Sequence, residues 1–309
     1  MITLGEFSYR RLRYADEINV MLVLYYQEPA LGFADNLLSL LLWIESAFPV
    51  CPFTGISPTF AEEAEGGLKD KSQRFTKSTW EKLRVSLQTS ELDLLGIDSV
   101  PKGATNVAKE TLLNISIRHR QPRGFTHLPK EFHFMLKESV FLSDELKGQA
   151  VELLLELLDR AVEVFRPGYG LIHAGEWHAY MGGIYFAGVI PASAPLELQA
   201  NHSLWMEKGA LYRRKVRDLY WGNYLSGDHL AALGGIEEFE KVYLPKATTF
   251  DGKLSTVYRK YPNGDIFFTL SKHPLTLPHL YQSEAGIEHR YIALAKFFDQ
   301  KDLFLRWKD

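Results

Sequence analysis

Apolar residues run almost unbroken from Ile18 to Tyr26, the pattern of a strand buried on both faces, and Glu28-Pro29 ends the run. Asp35 or Asn36 then caps a helix through about Phe48, with Leu37, Leu38, Leu41, Leu42 and Ile44 as a broad apolar face. Leu113-Asn114-Ile115-Ser116-Ile117 and Phe132-His133-Phe134-Met135-Leu136 alternate, which predicts neighbouring strands joined by the Gln121–Lys130 loop. Each should set an apolar face on a core and turn a polar face toward solvent or a partner. Ser143–Phe165 predicts the strongest helix: Ser143 caps it, Asp144 and Glu145 suit its positive end, and Pro167-Gly168 stops it. Its Glu152, Glu156, Asp159 and Glu163 form a narrow strip that reads as a solvated edge.

Other stretches are less regular. Trp80–Leu95 fits a strand through Leu83, Val85 and Leu87, or a helix through its flanks. Thr54–Ser78 is one long polar stretch and reads as a solvated insertion with short helical turns. Tyr169–Ala174 and Gly183–Ile190 are glycine-bounded apolar segments, either strands or buried turns. Pro195–Gly209 predicts a helix, and Glu284–Phe298 predicts a last one before a charged tail at Asp299–Asp309. Leu254–Tyr258 and Asp265–Leu270 predict a hairpin through Tyr261-Pro262-Asn263-Gly264. These elements imply an α+β protein with a mixed or antiparallel sheet packed by several helices. One compact unit over residues 1–309 is expected, with a pseudo-two-domain organisation divided near residue 140.

The most distinctive stretch is Asp218–Gly235. Leu219, Trp221 and Leu225 are apolar anchors around a pliant Gly222-Asn223. Ser226 stands at an N-cap, Asp228 in the first turn, Leu230 and Leu233 at helical spacing, and Gly234-Gly235 at the stop. A second short turn follows, with Ile236, Phe239 and Tyr243 on one side and Glu237, Glu238 and Glu240 elsewhere. The whole reads as a capped structural junction.

Composition narrows the function classes. A chain of 309 residues with 46% apolar and 13% aromatic content buries a substantial core. The net charge of −3 argues against a dedicated nucleic-acid binder, so any electrostatic partner must be met by a local patch. The lone Cys51 excludes an internal disulfide and points to a reducing compartment, and the apolar turn around it holds no charge to activate the thiol. Met1–Tyr14 lacks the pattern of a secretory leader, and the apolar runs Leu37–Ile44 and Leu153–Leu158 are too short to span a bilayer. A cytoplasmic protein without a membrane partner is expected.

Candidate chemistry is sparse. His173-Ala174-Gly175-Glu176-Trp177-His178 invites a metal-dependent hydrolase centred on Glu176 and His178. On a strand, though, His173 points away from that pair, and on a helix His173 and His178 stand about 140° apart. The plainer reading is a polar turn with satisfied histidines. No serine elbow, phosphate loop or dinucleotide fingerprint is present. The Arg213-Arg214-Lys215 cluster with Arg217 has too few charges for a nucleic-acid footprint and reads as a solvated helix end. Neither a catalytic role nor a cofactor is expected.

The run Trp-Gly-Asn-Tyr-Leu-Ser-Gly-Asp-His-Leu-Ala-Ala-Leu-Gly-Gly at 221–235, with the upstream turn Phe165-Arg166-Pro167-Gly168-Tyr169-Gly170, resembles the type VI secretion immunity proteins that neutralise toxins carrying a VRR-Nuc nuclease domain. Trp221, Gly222, Asn223, Leu225, Leu233, Gly234 and Gly235 carry the likeness. The resemblance implies an antitoxin without catalytic residues and a partner that is a metal-dependent nuclease with a basic DNA groove. Occlusion of that groove by carboxylates points to two acidic patches, Glu62, Glu63 and Glu65 on the long loop and Glu237, Glu238 and Glu240 after the junction.

Overall fold

The computed structural model describes residues 19–60, 73–89, 92–105, 110–119, 127–146, 148–175, 203–205, 207–249, 252–272 and 287–306. Two compact units divide it, one spanning Met21–Pro167 and the other formed chiefly by Gly168–Asp309. Every strand pair of known register is antiparallel, and helices accompany the strands in both units, which makes the fold mixed α+β.

The first unit holds β1 (Asn19–Tyr26), α1 (Phe33–Ala47), β2 (Gly55–Phe60), β3 (Gln73–Arg74), α2 (Lys77–Thr89), β4 (Leu92–Ser99), β5 (Leu113–Arg118), β6 (Lys130–Lys137), α3 (Glu138–Phe141) and α4 (Ala150–Phe165). Its strands run in the order β3-β2-β4-β5-β6-β1. As the apolar run predicts, β1 is buried along its whole length. Strands β5 and β6 pair with Leu113 opposite Leu136 and Ile115 opposite Phe134. Strand β5 alternates as expected, but β6 does not, because Glu131 and His133 are buried along with Phe132 and Phe134. An interior place between β5 and β1 leaves β6 no edge to turn toward water.

Helices α1 and α4 cover the Phe132–Phe134 face. Phe165 stacks on Phe132 at 4.6 Å, and Phe48 lies 5.3 Å from Phe134. Burying Leu154, Leu157, Leu158 and Ala161 of α4 contributes about 1.5–3 kcal/mol per large side chain. Glu156 pairs with Arg160, whose guanidinium lies 4.9 Å over Trp43, so the acidic strip stays outward. The helix predicted over 143–165 is broken in the structure. Asp144–Leu146 forms a 3-10 turn, and α4 starts only at Ala150. Gly148 between them has φ +71, a left-handed value that interrupts a helix and suits glycine. Trp80–Leu95 resolves into both readings, helix α2 to Thr89 and strand β4 from Leu92. The head of the long polar stretch is strand β2, paired with β4.

The second unit holds β7 (Tyr169–Gly175), β8 (Gly222–Leu225), α5 (Gly227–Leu233), α6 (Ile236–Ala247), β9 (Tyr258–Lys260), β10 (Ile266–Thr269) and α7 (Ile287–Gln300), with strand order β7-β8-β10-β9. The hairpin strand β9 starts at Tyr258, later than the predicted Leu254, and Gly264 closes the turn onto the Tyr261 carbonyl. The turn expected after Gly235 is a twelve-residue helix, α6, whose Phe239 and Tyr243 pack on Phe268 at 4.9 and 5.2 Å. The tail is less polar than its composition suggests. Leu303 and Leu305 are buried, and their backbone groups pair with Val216 at 3.0 and 2.8 Å. The segment 183–190, the start of the helix predicted from Glu284 and most of the one predicted over 195–209 lie outside the described residues.

Candidate functional site

The distinctive stretch is an interior strand. Gly222–Leu225 pairs with β7 on one edge, Tyr169 opposite Leu225, and with β10 on the other, Thr269 opposite Gly222. The pliant junction expected at Gly222-Asn223 is therefore wrong, and the reason lies in packing. A Cβ on Gly222 would stand 2.7 Å from Phe267 Cζ and 3.1 Å from Ile172 Cβ, so the position selects for smallness. Gly222→Ala is expected to destabilise by about 2 kcal/mol through overpacking, read as a lower urea midpoint at unchanged slope. A neutral alanine would show that the Phe267 ring moves freely.

Asn223 closes the loop before the strand. Its Oδ1 accepts from the Tyr220 N–H at 2.9 Å, and its Nδ2 donates to the Tyr220 carbonyl at 2.8 Å. One buried amide thus serves both backbone groups of one buried residue. Trp221 fills the core, with Nε1 donating to the Ser271 carbonyl at 3.1 Å and its own carbonyl accepting from Leu270 N–H at 2.7 Å.

Helix α5 begins as predicted, with Ser226 at the N-cap, but a histidine completes the cap. His229, at the third helical position, accepts the Ser226 N–H on Nδ1 at 3.3 Å, where glutamate or glutamine usually reaches back. Burial pushes this imidazole down to about 4, against an opposing pull from the Lys215 and Tyr212 carbonyls. Asp265 adds a second tie, taking Gly227 N–H at 2.8 Å, Tyr224 Oη–H at 2.5 Å and Asn263 Nδ2–H at 2.7 Å. A carboxylate there meets the positive end of the helix. Gly234 ends α5 at φ +96, where a side chain would be strained. The sequence signal for His229 is its place three residues after a serine cap; Asp265 lies beyond any local pattern.

The basic cluster divides: Arg213 and Arg214 are exposed just after a short 3-10 turn, as a solvated helix end implies, while Lys215 and Arg217 turn inward. Arg213 pairs with Asp228 at 3.2 Å, Lys215 with Asp302 at 3.1 Å, and Arg217 is buried over Trp205 at 4.6 Å. His173 on β7 is buried edge-on to Tyr220 at 5.4 Å, and burial alone pushes it down to about 4. Neither of its ring nitrogens has a hydrogen-bond partner. Glu176 and His178 lie outside the described residues. Among the described residues no three His, Cys, Asp or Glu stand close enough to hold a metal ion. Burial first, then Glu145, pushes the Cys51 thiol up to about 12, so Cys51 is a packed side chain and not a nucleophile in waiting.

Of the acidic candidates, Glu62, Glu63 and Glu65 lie outside the described residues. Glu237, Glu238 and Glu240 stand on α6. Glu237 is exposed, Glu238 pairs with Lys241 at 2.5 Å, and Glu240 pairs with Lys260 at 2.6 Å while accepting from Tyr258 Oη at 2.8 Å. Lys241 and Lys260 hold the two paired carboxyls below their usual range. Much of that patch's charge is balanced within the fold.

No family model matches the sequence, and neither does any curated protein. Among solved structures the chain is similar to one described as Pseudomonas aeruginosa T6SS protein PA0821. The TM-score is 0.57 at 13% identity, covering 93% of this chain and 73% of that one. At that identity the likeness is one of fold. Among the described residues no helix is long and apolar enough to cross a membrane.

Proposed function

We propose that this chain is a cytoplasmic immunity protein that binds and inhibits a VRR-Nuc nuclease effector of a type VI secretion system by covering its DNA-binding or active site. The observation that carries the reading is a coincidence of two likenesses. The stretch Trp221–Gly235 resembles that immunity family, and the fold resembles a protein described as belonging to the same secretion system. Inhibition of this kind needs a binding surface and no cofactor, membrane or nucleic acid.

Carboxylates that meet a basic groove raise association rate and selectivity more than affinity. Within that scheme the loop patch Glu62, Glu63 and Glu65 is the stronger steering candidate, because Glu238 and Glu240 already face lysines. Reversing charge at the loop should slow association with the nuclease, while Glu238→Gln, at a carboxylate already paired with Lys241, should change it little. The decisive experiment mixes the purified chain with the VRR-Nuc nuclease that this reading assigns to it as cognate effector and measures complex formation and DNA cleavage. A one-to-one complex with suppressed cleavage is expected. No complex at micromolar concentration would end the immunity reading.

A further inference from the structure

We infer that Leu31, on the turn Gln27–Gly32, is the apolar anchor of this chain's contact with its protein partner, and that the partner supplies an apolar socket rimmed by lysine or arginine. The inference rests on the immunity reading above and adds the surface that supplies affinity.

Leu31 is 91% exposed, the highest value among the large apolar side chains described. A single exposed leucine needs no explanation by itself. What sets this one apart is the backbone beneath it. The Ala30 N–H donates to the Val164 carbonyl in the last turn of α4 at 2.9 Å. Asn36 Nδ2 donates to the Leu31 carbonyl at 3.0 Å, and the Asn36 N–H donates to the Gly32 carbonyl at 3.0 Å. Phe33 locks the next position, stacked on His119 at 4.8 Å and edge-on to Phe165 at 5.9 Å. The turn is tied to α4 and to the start of α1 while its leucine stands in water. A side chain presented on a rigid turn binds without the cost of ordering that turn, which is how a small contact gains affinity.

The charges around it say what kind of partner fits. Glu28 and Asp35 flank Leu31 in the chain, and Glu163 adjoins the Val164 that holds the turn; all three are exposed. Arg166, just past α4, is exposed as well, and Lys130 acts on the His119 ring that stacks on Phe33, so three exposed carboxylates outnumber two basic groups in this neighbourhood. The footprint continues along α1, where Leu42, 51% exposed, lies seven residues after Asp35 and hence on the same helical face. An apolar anchor inside an acidic rim matches a basic protein surface, with the leucine supplying affinity and the rim supplying rate.

Calorimetric titration of the full-length chain against the cognate VRR-Nuc nuclease of the immunity reading tests this, with Leu31→Asp as the variant. Because Leu31 is exposed, Leu31→Asp should melt like the wild type while its Kd rises at least ~30-fold. Glu163→Lys should slow association and flatten its salt dependence. Leu254→Asp, at an exposed leucine of the other unit, should bind as the wild type does. Wild-type affinity in Leu31→Asp overturns the inference and leaves the immunity reading standing; no binding by the wild type removes both. If the wild type self-associates and Leu31→Asp abolishes that instead, the occupant is a second copy and the inference fails.

Discussion

Lowering the pH from 6.5 toward 4 is expected to unfold this protein cooperatively, with protons taken up on unfolding by buried imidazoles. Burial pushes His133 down to about 3, and His173 and His229 to about 4. Between those values and the ordinary 6.5 the unfolded chain binds protons that the folded chain refuses. Stability therefore rises with pH across that window and is lost as pH falls through it. At pH 5 each of the three rings should cost about 2 kcal/mol, roughly 6 kcal/mol together. That is a large share of the roughly 5–15 kcal/mol that holds a domain folded. His119, also pushed down to about 4 by burial and by Lys130, acts in the same direction. Circular dichroism should show a midpoint between about pH 4 and 5.5. His173→Phe removes a titrating ring whose nitrogens have no partner, so it should lower that midpoint and take one proton from the slope of stability against pH. An unchanged slope would show that His173 does not titrate on unfolding.

Asn223→Leu should cost roughly 2–6 kcal/mol, since the Tyr220 N–H and carbonyl both lose a buried partner worth about 1–3 kcal/mol each. Asn223→Asp does not rescue it, because a carboxylate can accept from the N–H but would face the carbonyl with a second acceptor. Urea denaturation gives the difference directly. A loss below about 1 kcal/mol for the leucine variant would mean that the Tyr220 loop finds other partners.

Much of the architecture was legible from periodicity alone. Strands β1, β5 and β6 and helix α1 follow their apolar spacing to within a few residues, and α4 does so at its C-terminal end, because each buries one stripe or the whole strand. The failures have local causes. Gly148 breaks a helix whose apolar pattern continues on either side, and periodicity carries no record of φ. Gly222-Asn223 read as a junction because glycine and asparagine favour turns, yet the aromatic ring of Phe267 covers the glycine and makes a strand of it. His133 read as part of a polar face because burial on both sides of β6 depends on neighbours distant in sequence. At the candidate site, Ser226, Gly234 and Trp221 were legible as cap, stop and anchor. Asp265 was not, since its link to Gly227 joins residues 38 apart. Leu31 was silent for another reason: an exposed leucine in a sequence looks the same whether its backbone is loose or pinned.

The double pairing of β8 also sets an order of events during synthesis. Its two edges are filled by Tyr169–Ile172, made long before it, and by Ile266–Thr269, made long after. As the chain leaves the ribosome, Trp221 and Asn223 must wait for the β10 segment before the strand is flanked on both sides. Arg290, whose Nε closes on the Leu270 carbonyl at 2.6 Å, arrives later still. The most distinctive stretch of the sequence thus gains its second strand partner only after some forty further residues have been made.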